Sequence, residues 1–254
     1  MTDDVLVEQR DRILIITINR PAARNAIDAA VTQGVAAALD QLDGRKDLSI
    51  GILTGNGGTF CAGMDLKAFL RGEQVALPGR GLAGLTQAPP RKPLIAAVEG
   101  YALAGGFELV LACDLIVAAH DAKFGIPEVK RGLAAGGGGL LRLPRRIPPN
   151  VAMEYALTGE FFSASHAQRL GLVNRVTPSG GALAGAVELA ERITANAPLS
   201  IAATKEVIVR SADWTAEDMW QRQQEIVGPV FGSADAREGA SAFAEKRAPV
   251  WRGE

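Results

Sequence analysis

The most restrictive feature of the sequence is a run of small residues that joins a strand to a helix. Residues 93–98 are apolar and have the length of one strand, and residues 109–113 continue without Gly or Pro, as a helix does. Between them, residues 100–108 read Gly-Tyr-Ala-Leu-Ala-Gly-Gly-Phe-Glu. A strand that breaks at glycines and then begins a helix exposes backbone N–H groups without helical partners. The segment therefore predicts a site built from peptide groups.

A second segment of the same design lies earlier in the chain. Residues 50–54 are a buried strand by their composition, and residues 60–66 read Phe-Cys-Ala-Gly-Met-Asp-Leu. The order is again apolar strand, glycine turn and helix. The chain therefore presents two backbone sites of one kind.

Two carboxylates accompany these backbone sites. Glu108 falls in the first turn of its predicted helix, and Glu128 follows Pro127 further along the chain. Each has an ordinary alternative: Glu108 as a surface residue favoured by the helix dipole, and Glu128 in a salt bridge with Lys130 or Arg131. Together, two carboxylates near exposed amides indicate acid–base chemistry on a carbonyl.

Composition limits the class of protein. Of the 254 residues, 48% are hydrophobic and 22% charged, which is typical of a globular chain. The formal net charge of −1 gives no global field to recruit nucleic acid or an anionic membrane. The apolar region 94–119 contains Glu99, Glu108 and Asp114, so it is not a membrane span. The opening residues 1–4 lack signal-peptide features, and we expect a soluble cytoplasmic protein.

Other site classes are disfavoured by their missing residues. The two cysteines are too few for a disulfide framework, and the two histidines without Cys–His spacing predict no metal site. The spacing of Gly100 and Gly105 superficially matches a P-loop, but Gly106 stands in place of its Lys. A dinucleotide-binding glycine motif fails at Phe60, and G-x-S-x-G does not occur.

The remaining pattern predicts an α/β fold whose C-terminal part is helical. The further predicted strands are residues 5–7, 13–18, 115–119 and 172–176, with an extended piece at 124–128. The further predicted helices are residues 28–42, 150–159, 164–171, 181–195, 198–212, 215–226 and 235–245, with another after the tetraglycine at 136–139. Thr215 and Asp218 have capping-box spacing. Residues 67–90 mix Gly, Pro, Gln and Arg and predict a mobile loop or short helix.

Taken together, these motifs resemble the enoyl-CoA hydratase/isomerase (crotonase) superfamily. The resemblance runs nearly end to end through the following segments: Asn19-Arg20-Pro21, Asn25-Ala26, residues 60–66, residues 101–114, Ile126-Pro127-Glu128, Gly159, residues 171–174 and Ala242-Phe243-Ala244-Glu245-Lys246-Arg247 with Pro249 and Trp251. So many ordered motifs make the similarity specific. Residues 105–109 and the C-terminal motif are similar to the carnitinyl-CoA dehydratase branch.

The resemblance implies a fold, a substrate and an assembly. It implies a spiral of ββα units over residues 1–195, followed by a C-terminal helical region, residues 196–254, that serves trimerisation and covers the active site. The substrate is expected to be an acyl-CoA thioester, with no cofactor beyond that coenzyme A and no metal. The expected assembly is a homotrimer or homohexamer.

The resemblance also assigns roles to residues. The N–H groups of Met64 and Gly105 are expected to bind the thioester oxygen, Glu108 to activate water and Glu128 to deliver a proton to Cα. Ala22 stands where relatives often carry a CoA-binding Lys, so Arg24 or Lys92 is expected to take that part. The expected substrate and CoA contacts are Arg24, Ala62, Gly63, Asp65, Leu66, Lys92, Phe243 and Lys246.

Several reactions remain open within this resemblance. Hydration of a 2-trans-enoyl-CoA is the leading hypothesis. Carnitinyl-type dehydration, or a Δ3–Δ2 double-bond shift that needs mainly Glu128, would use the same site. Gly136 stands where dienoyl-CoA isomerases place an Asp, which disfavours that activity. A non-catalytic acyl-CoA-binding protein is the alternative of a different class, and it would need neither glutamate.

Overall fold

The structure, a computed structural model, describes residues 4–254. Most of the segment inspected for a signal peptide, residues 1–3, lies outside the described residues. The strands are β1 (Val5–Arg10), β2 (Ile13–Ile18), β3 (Ile50–Gly55), β4 (Ala76–Leu77), β5 (Gly81–Leu82), β6 (Leu94–Val98), β7 (Tyr101–Leu103), β8 (Leu115–Ala119), β9 (Lys123–Gly125), β10 (Phe162–Ser163) and β11 (Arg175–Thr177). The helices are α1 (Ala29–Gly44), α2 (Leu66–Leu70), α3 (Gly105–Ala112), α4 (Gly139–Arg146), α5 (Pro149–Thr158), α6 (Ala164–Arg169), α7 (Ala182–Thr194), α8 (Pro198–Arg210), α9 (Met219–Phe231) and α10 (Ala234–Glu245). The predicted α/β class is confirmed.

The main sheet has six strands in the order β1-β2-β3-β6-β8-β11. β1 and β2 form an antiparallel hairpin, and every other neighbour in this sheet is parallel. A smaller sheet, β10-β9-β7, lies at the exit of β6, where β7 and β9 are parallel. Parallel neighbours need crossover connections, so consecutive strand exits fall on the same edge of the sheet. This topology brings the two predicted backbone sites together.

Both faces of the main sheet are buried, which explains its continuous apolar strands. One face packs against α7 through alternate residues such as Ile13, Ile52 and Val117. The intervening residues, such as Leu53 and Ile116, face the larger core that α1 and α3 complete. The central strands β2, β3, β6 and β8 therefore supply both layers of the core with side chains at period two, whereas the edge strand β1 is mostly exposed.

Within one chain, the C-terminal helices bury fewer side chains than the elements of the main sheet do. Neither α8 nor α9 contains a buried residue. The ammonium group of Lys205 on α8 joins them to the core by donating to Oδ2 of Asp114 at 2.7 Å and to the carbonyls of Pro90 and Lys92. Large apolar side chains remain exposed on these helices, including Ile208, Trp220, Phe231 and Phe243. Such a surface is typical of a face that another subunit covers.

Three sequence-based boundaries are corrected. The extended piece at 124–128 is wrong, because β9 ends at Gly125 and Glu128 begins a 3₁₀ turn. The strand at 172–176 starts later, at Arg175, where pairing with β8 begins. The helix at 215–226 is shifted to Met219–Phe231, although Thr215 and Asp218 do form their hydrogen bonds. Residues 67–90 hold the end of α2 and the hairpin β4–β5.

Two kinds of feature are absent from residues 4–254. No helix in this range has the length and apolarity needed to cross a membrane. The same residues contain no group of three or more His, Cys, Asp or Glu side chains placed to hold a metal ion. Cys61 and Cys113 are both buried free thiols.

Candidate active site

The turn between β7 and α3 places a peptide N–H at the start of a helix. Ala104, the residue before α3, has φ 50° and ψ −128°, a conformation that L-residues rarely adopt. Its carbonyl accepts hydrogen bonds from the N–H groups of Phe107 and Glu108, and its own N–H donates to Gly125. The N–H of Gly105, the first residue of α3, has no acceptor within residues 4–254. One free donor therefore lies at the positive end of the α3 dipole.

The second strand exit contributes a matching donor. The carbonyl of Gly63 accepts from Ile27, and the N–H of Asp65 donates back to Ile27. Between these two bonds, the N–H of Met64 has no acceptor in the described chain. The Met64 nitrogen lies 3.5 Å from the point where a Cβ on Gly105 would stand. The two free N–H groups are therefore neighbours.

Glycines allow the two segments to approach so closely. Gly63 has φ +106°, and a Cβ there would lie 2.9 Å from the Cβ of Ala104. A Cβ on Gly106 would overlap the carbonyl of Cys61. Side chains at these positions would push the two backbones apart. Glycine at 63 and 106 is thus a packing requirement of the paired donors.

Glu108 lies on α3, only 3% exposed. Burial raises the pKa of its carboxyl group above the ordinary value, while the N–H groups of Gly139 and Gly137 and the charge of Arg142 oppose that rise. The N–H of Gly139 donates to Oε1 of Glu108 at 2.9 Å. The carboxylate is therefore desolvated and yet held by a donor that favours its ionised form.

Glu128 begins the 3₁₀ turn Glu128–Arg131 on the other side of the site. Burial is the main cause that raises its pKa, the negative charge of Glu108 raises it further, and Arg131 opposes the rise. Its Oε2 is buried and has no hydrogen-bond partner among the described residues. Because buried carboxylate oxygens are normally satisfied, this oxygen is available to a proton, a water molecule or a substrate. Two coupled carboxyl groups of raised pKa favour a state with one protonated and one ionised.

A single cavity of about 450 Å³ contains all of these groups. Met64, Gly105, Glu108 and Glu128 line it. The other lining side chains are mostly apolar: Leu66, Phe69, Leu82, Leu103, Leu133 and Phe161. Two backbone donors and two carboxyl groups in an apolar cavity can stabilise negative charge on an oxygen and transfer protons nearby.

Comparison with known proteins identifies the family. The family model for enoyl-CoA hydratase/isomerase matches residues 8–254. The chain belongs to the enoyl-CoA hydratase/isomerase family. The predictions of this family and of its crotonase fold are confirmed, since the solved structure of enoyl-CoA hydratase EchA1 from Mycobacterium marinum superposes with a TM-score of 0.98 at 63% identity, covering 100% of both chains.

Two curated relatives agree with this assignment. The chain is 43% identical to enoyl-CoA hydratase EchA19 of Mycobacterium tuberculosis, over 97% of this chain and 95% of the relative. It is also 43% identical to carnitinyl-CoA dehydratase of Salmonella typhi, over the full length of both. The relatives therefore include two of the three reactions that the sequence analysis left open.

Most of the CoA contacts expected from the family lie near the cavity. Ala62 and Leu66 line it, and Gly63 and Asp65 flank the free N–H of Met64. Arg24 is exposed, and its carbonyl accepts a 3.0 Å hydrogen bond from Ala62. Arg24 and residues 62–66 therefore form one continuous edge of the cavity.

Three of the expected contacts do not lie at the cavity of this chain. Lys92 lines a different cavity, and its ammonium group donates to the carbonyls of Leu42 and Arg45. These bonds hold the ammonium inside its own fold, which does not support its expected part in CoA binding. Phe243, 87% exposed, and Lys246, in a left-handed C-cap, lie at the end of α10 and do not line the cavity.

The sequence analysis missed two residues that position this edge. Arg20 pairs with both Asp28 and Asp65 and donates to the carbonyl of Ala26. The fully buried Asn25 accepts from Arg20 N–H and donates to the carbonyls of Asn56 and Thr59. Both lie in the motifs Asn19-Arg20-Pro21 and Asn25-Ala26, which gave the family resemblance without a structural role. Their network fixes the start of α2 and thus the Met64 peptide.

Proposed function

We propose that this protein is an enoyl-CoA hydratase, which adds water reversibly across the 2,3-double bond of a 2-trans-enoyl-CoA thioester. The observation that carries the proposal is the common cavity of two free N–H groups and two desolvated carboxyl groups. The apolar lining suits an acyl chain, and family membership supplies the thioester. The reaction needs no cofactor beyond the coenzyme A of its substrate.

The two backbone donors stabilise the charge that develops on the thioester oxygen. When water attacks C3, electron density moves through the double bond onto this oxygen, and the N–H groups of Met64 and Gly105 donate to it. Because they are held by the backbone, they need no reorganisation during the reaction. Loss of one such donor lowers a rate by about 10²–10³-fold in comparable sites.

The two glutamates divide the proton transfers. Ionised Glu108, oriented by Gly139, removes a proton from water as its oxygen bonds to C3. Protonated Glu128 delivers a proton to C2, which leaves its carboxylate ionised. The proton held by Glu108 then returns to Glu128, so one water has been added and both groups are restored. Dehydration of a 3-hydroxyacyl-CoA is the same path reversed.

The remaining contacts belong to the proposal as well. Arg24 and residues 62–66 are proposed to bind the CoA part of the substrate, whereas Lys92 is not proposed. Phe243 and Lys246 are proposed to reach the CoA bound by a neighbouring subunit, which fits their exposure at the end of α10. This requires the homotrimer or homohexamer that the exposed apolar face of the C-terminal helices favours. Light scattering that finds a monomer at working concentration would contradict this part.

Loss of the conjugated thioester absorbance of crotonyl-CoA and longer enoyl-CoAs tests the proposal. The wild-type protein, Glu108→Gln and Glu128→Gln are assayed together. We expect hydration by the wild type and a loss of roughly 10²–10⁴-fold in kcat for each variant, with substrate binding retained. Tight binding without turnover of any enoyl-CoA would contradict the proposal and favour a non-catalytic acyl-CoA-binding protein. A Glu108→Gln variant that still shifts a 3-enoyl double bond would indicate the Δ3–Δ2 isomerase.

Dehydration of a carnitinyl-CoA is the second candidate, because one relative of equal identity carries that name. It would use the same donors and the same glutamates in the reverse direction. The two candidates differ in the acyl chain, since the carnitinyl group ends in a trimethylammonium cation. Relative turnover of crotonyl-CoA and crotonobetainyl-CoA by the wild-type protein separates them.

A further inference from the structure

One side chain gives the wall of the active-site cavity an unexplained positive charge. Besides Glu108 and Glu128, Arg131 is the one charged residue that lines this cavity in residues 4–254. It is exposed, and no side-chain hydrogen bond or ion pair engages it there. Neither the proton transfers nor the oxyanion site described above uses this guanidinium.

The position of Arg131 follows from the local backbone. It ends the 3₁₀ turn that Glu128 begins, and residues three apart in such a turn eclipse one another. Its charge therefore acts on the same side of the turn as the Glu128 carboxyl group. Leu133 and Ala134, which follow closely in the chain, also line the cavity. Arg131 thus lies in the part of the cavity wall between the carboxyl group of Glu128 and the apolar side chains of Leu133 and Ala134.

A second polar group in the cavity lacks a partner. Gln87 lines the same cavity, is also exposed, and its side-chain amide makes no hydrogen bond with any residue that the structure describes. A purely aliphatic acyl chain would engage neither this amide nor Arg131. Both groups are therefore free to bind polar or anionic atoms of a ligand that enters the mostly apolar cavity.

We propose that Arg131 selects the acyl group by charge, favouring an acyl chain that ends in a carboxylate and disfavouring one that ends in a quaternary ammonium. The inference rests on the proposed function in one respect, namely that the cavity holds the acyl group of an enoyl-CoA. A planar guanidinium matches a carboxylate with two parallel hydrogen bonds. A quaternary ammonium instead binds to carboxylates or aromatic faces and is repelled by a like charge. Arg131 therefore sets this chain apart from the carnitinyl-type candidate.

The test compares three enoyl-CoAs with different chain ends. The probes are neutral 2-pentenoyl-CoA, carboxylate-ended glutaconyl-CoA and cationic crotonobetainyl-CoA, each assayed for kcat/KM with wild type, Arg131→Gln and Arg131→Glu. Since a charge-assisted hydrogen bond contributes about 1.5–3 kcal/mol, we expect Arg131→Gln to lower kcat/KM for glutaconyl-CoA about tenfold or more relative to 2-pentenoyl-CoA. Arg131→Glu is expected to reverse the order of the two charged substrates.

Lys130→Gln is the matched control. This neighbouring cation packs against Gly159 and does not line the cavity. It removes the same charge from the same turn, so we expect it to leave the three kcat/KM ratios unchanged. Equal losses with all three substrates in Arg131→Gln would overturn the proposal, because they would assign Arg131 to the CoA part or to its effect on the pKa of Glu128. Unchanged ratios in both Arg131 variants would also overturn it.

Equilibrium binding separates this proposal from the proposed function. Calorimetry with the saturated analogues valeryl-CoA, glutaryl-CoA and butyrobetainyl-CoA needs no turnover. If the wild type hydrates none of the enoyl-CoAs but binds glutaryl-CoA most tightly, and Arg131→Gln removes that preference, the proposed function fails and this inference stands. If glutaryl-CoA has no advantage over valeryl-CoA in the wild type, the inference fails even where hydration succeeds.

Discussion

The backbone N–H of Gly139 donates a 2.9 Å hydrogen bond to Oε1 of Glu108, so the start of α4 holds a carboxylate that projects from α3. The tetraglycine at 136–139 thereby has a structural purpose beyond flexibility. Its backbone comes so close to Glu108 that a Cβ on Gly137 would lie 2.6 Å from Oε2. The orientation of the proposed base therefore depends on residues without side chains.

Gly137→Ala tests this dependence. The added methyl group collides with the Glu108 carboxylate, and we expect kcat for hydration to fall about 10²-fold, the usual effect of displacing a catalytic group by about 1 Å. Gly136→Ala is the control, because nothing lies within 4 Å of a Cβ at that position. We expect the kcat of Gly136→Ala to stay within about threefold of the wild-type value. Circular dichroism of both variants checks the fold, and equal rates in the two would refute the steric argument.

The stability of Glu108→Gln is expected to depend on pH. Burial raises the folded-state pKa of Glu108, so the native state keeps a proton that the unfolded chain releases, and wild-type stability falls as pH rises from the unfolded pKa through the folded one. Glutamine cannot ionise. The variant should therefore gain in melting temperature relative to wild type as pH rises from the unfolded-state pKa of Glu108 through its folded-state pKa, as measured by thermal unfolding.

Glu238→Gln provides a control of opposite sign. The hydrogen-bonded ion pair with Arg247 lowers the pKa of Glu238 to about 2. The ion pair therefore stabilises the folded state at neutral pH, and this stabilisation is lost as pH falls from the ordinary pKa of a glutamate through the folded-state value. This variant should be less stable than wild type at pH 7, with the difference shrinking in acid. If both variants showed the same trend with pH, the burial argument for Glu108 would be wrong.

Ala104→Gly is expected to stabilise the protein. Ala104 has a positive φ of 50° with ψ −128°, and such a conformation destabilises an L-residue by about 1–3 kcal/mol. Glycine removes this strain but loses about 0.5–1 kcal/mol in chain entropy. We expect a net gain of about 1 kcal/mol in the free energy of unfolding by urea. Ala102→Gly, in the buried part of β7 without a positive φ, should lose about 1 kcal/mol instead.

Lys205→Met is expected to loosen the C-terminal helices. It leaves the Asp114 carboxylate without its cation and two carbonyl groups without a donor. The two side chains are only 12% and 21% exposed, so we expect a loss of about 2–3 kcal/mol in the free energy of unfolding, somewhat below a fully buried pair. Arg210→Ala breaks an exposed pair with Glu206 on the same helix and should cost less than about 0.5 kcal/mol. Equal losses would show that Lys205 acts as an ordinary surface residue.

The parts of the fold that sequence predicts are those with local causes. β2, β3, β6 and β8 are apolar runs buried on both faces, and α7, α8 and α10 begin and end within two residues of their predicted limits. The paired donors were also predictable in kind, because glycine at a strand exit is a local signal. Their adjacency depends on the parallel pairing of β3 and β6, and from sequence only the family resemblance implied that both donors bind one oxygen.

The errors come from contacts between distant segments. Lys92 carries the charge expected of a CoA contact, but carbonyls of Leu42 and Arg45 at the end of α1 capture its ammonium group. No pattern around position 92 reveals those acceptors. The roles of Arg20 and Asn25 were hidden in the same way, since their partners lie up to 45 residues away. The extended piece predicted at 124–128 includes Glu128, whereas the chain turns there into a 3₁₀ helix.

Met64 combines two tasks that evolution can alter separately. Its peptide N–H is a proposed donor to the thioester oxygen, while its side chain lines the cavity that is proposed to hold the acyl group. A change of codon at this position replaces the side chain and leaves the N–H in place, unless the new residue is proline. Descendants of such a chain can therefore acquire new acyl preferences at position 64 through single substitutions, with the charge-stabilising peptide inherited intact.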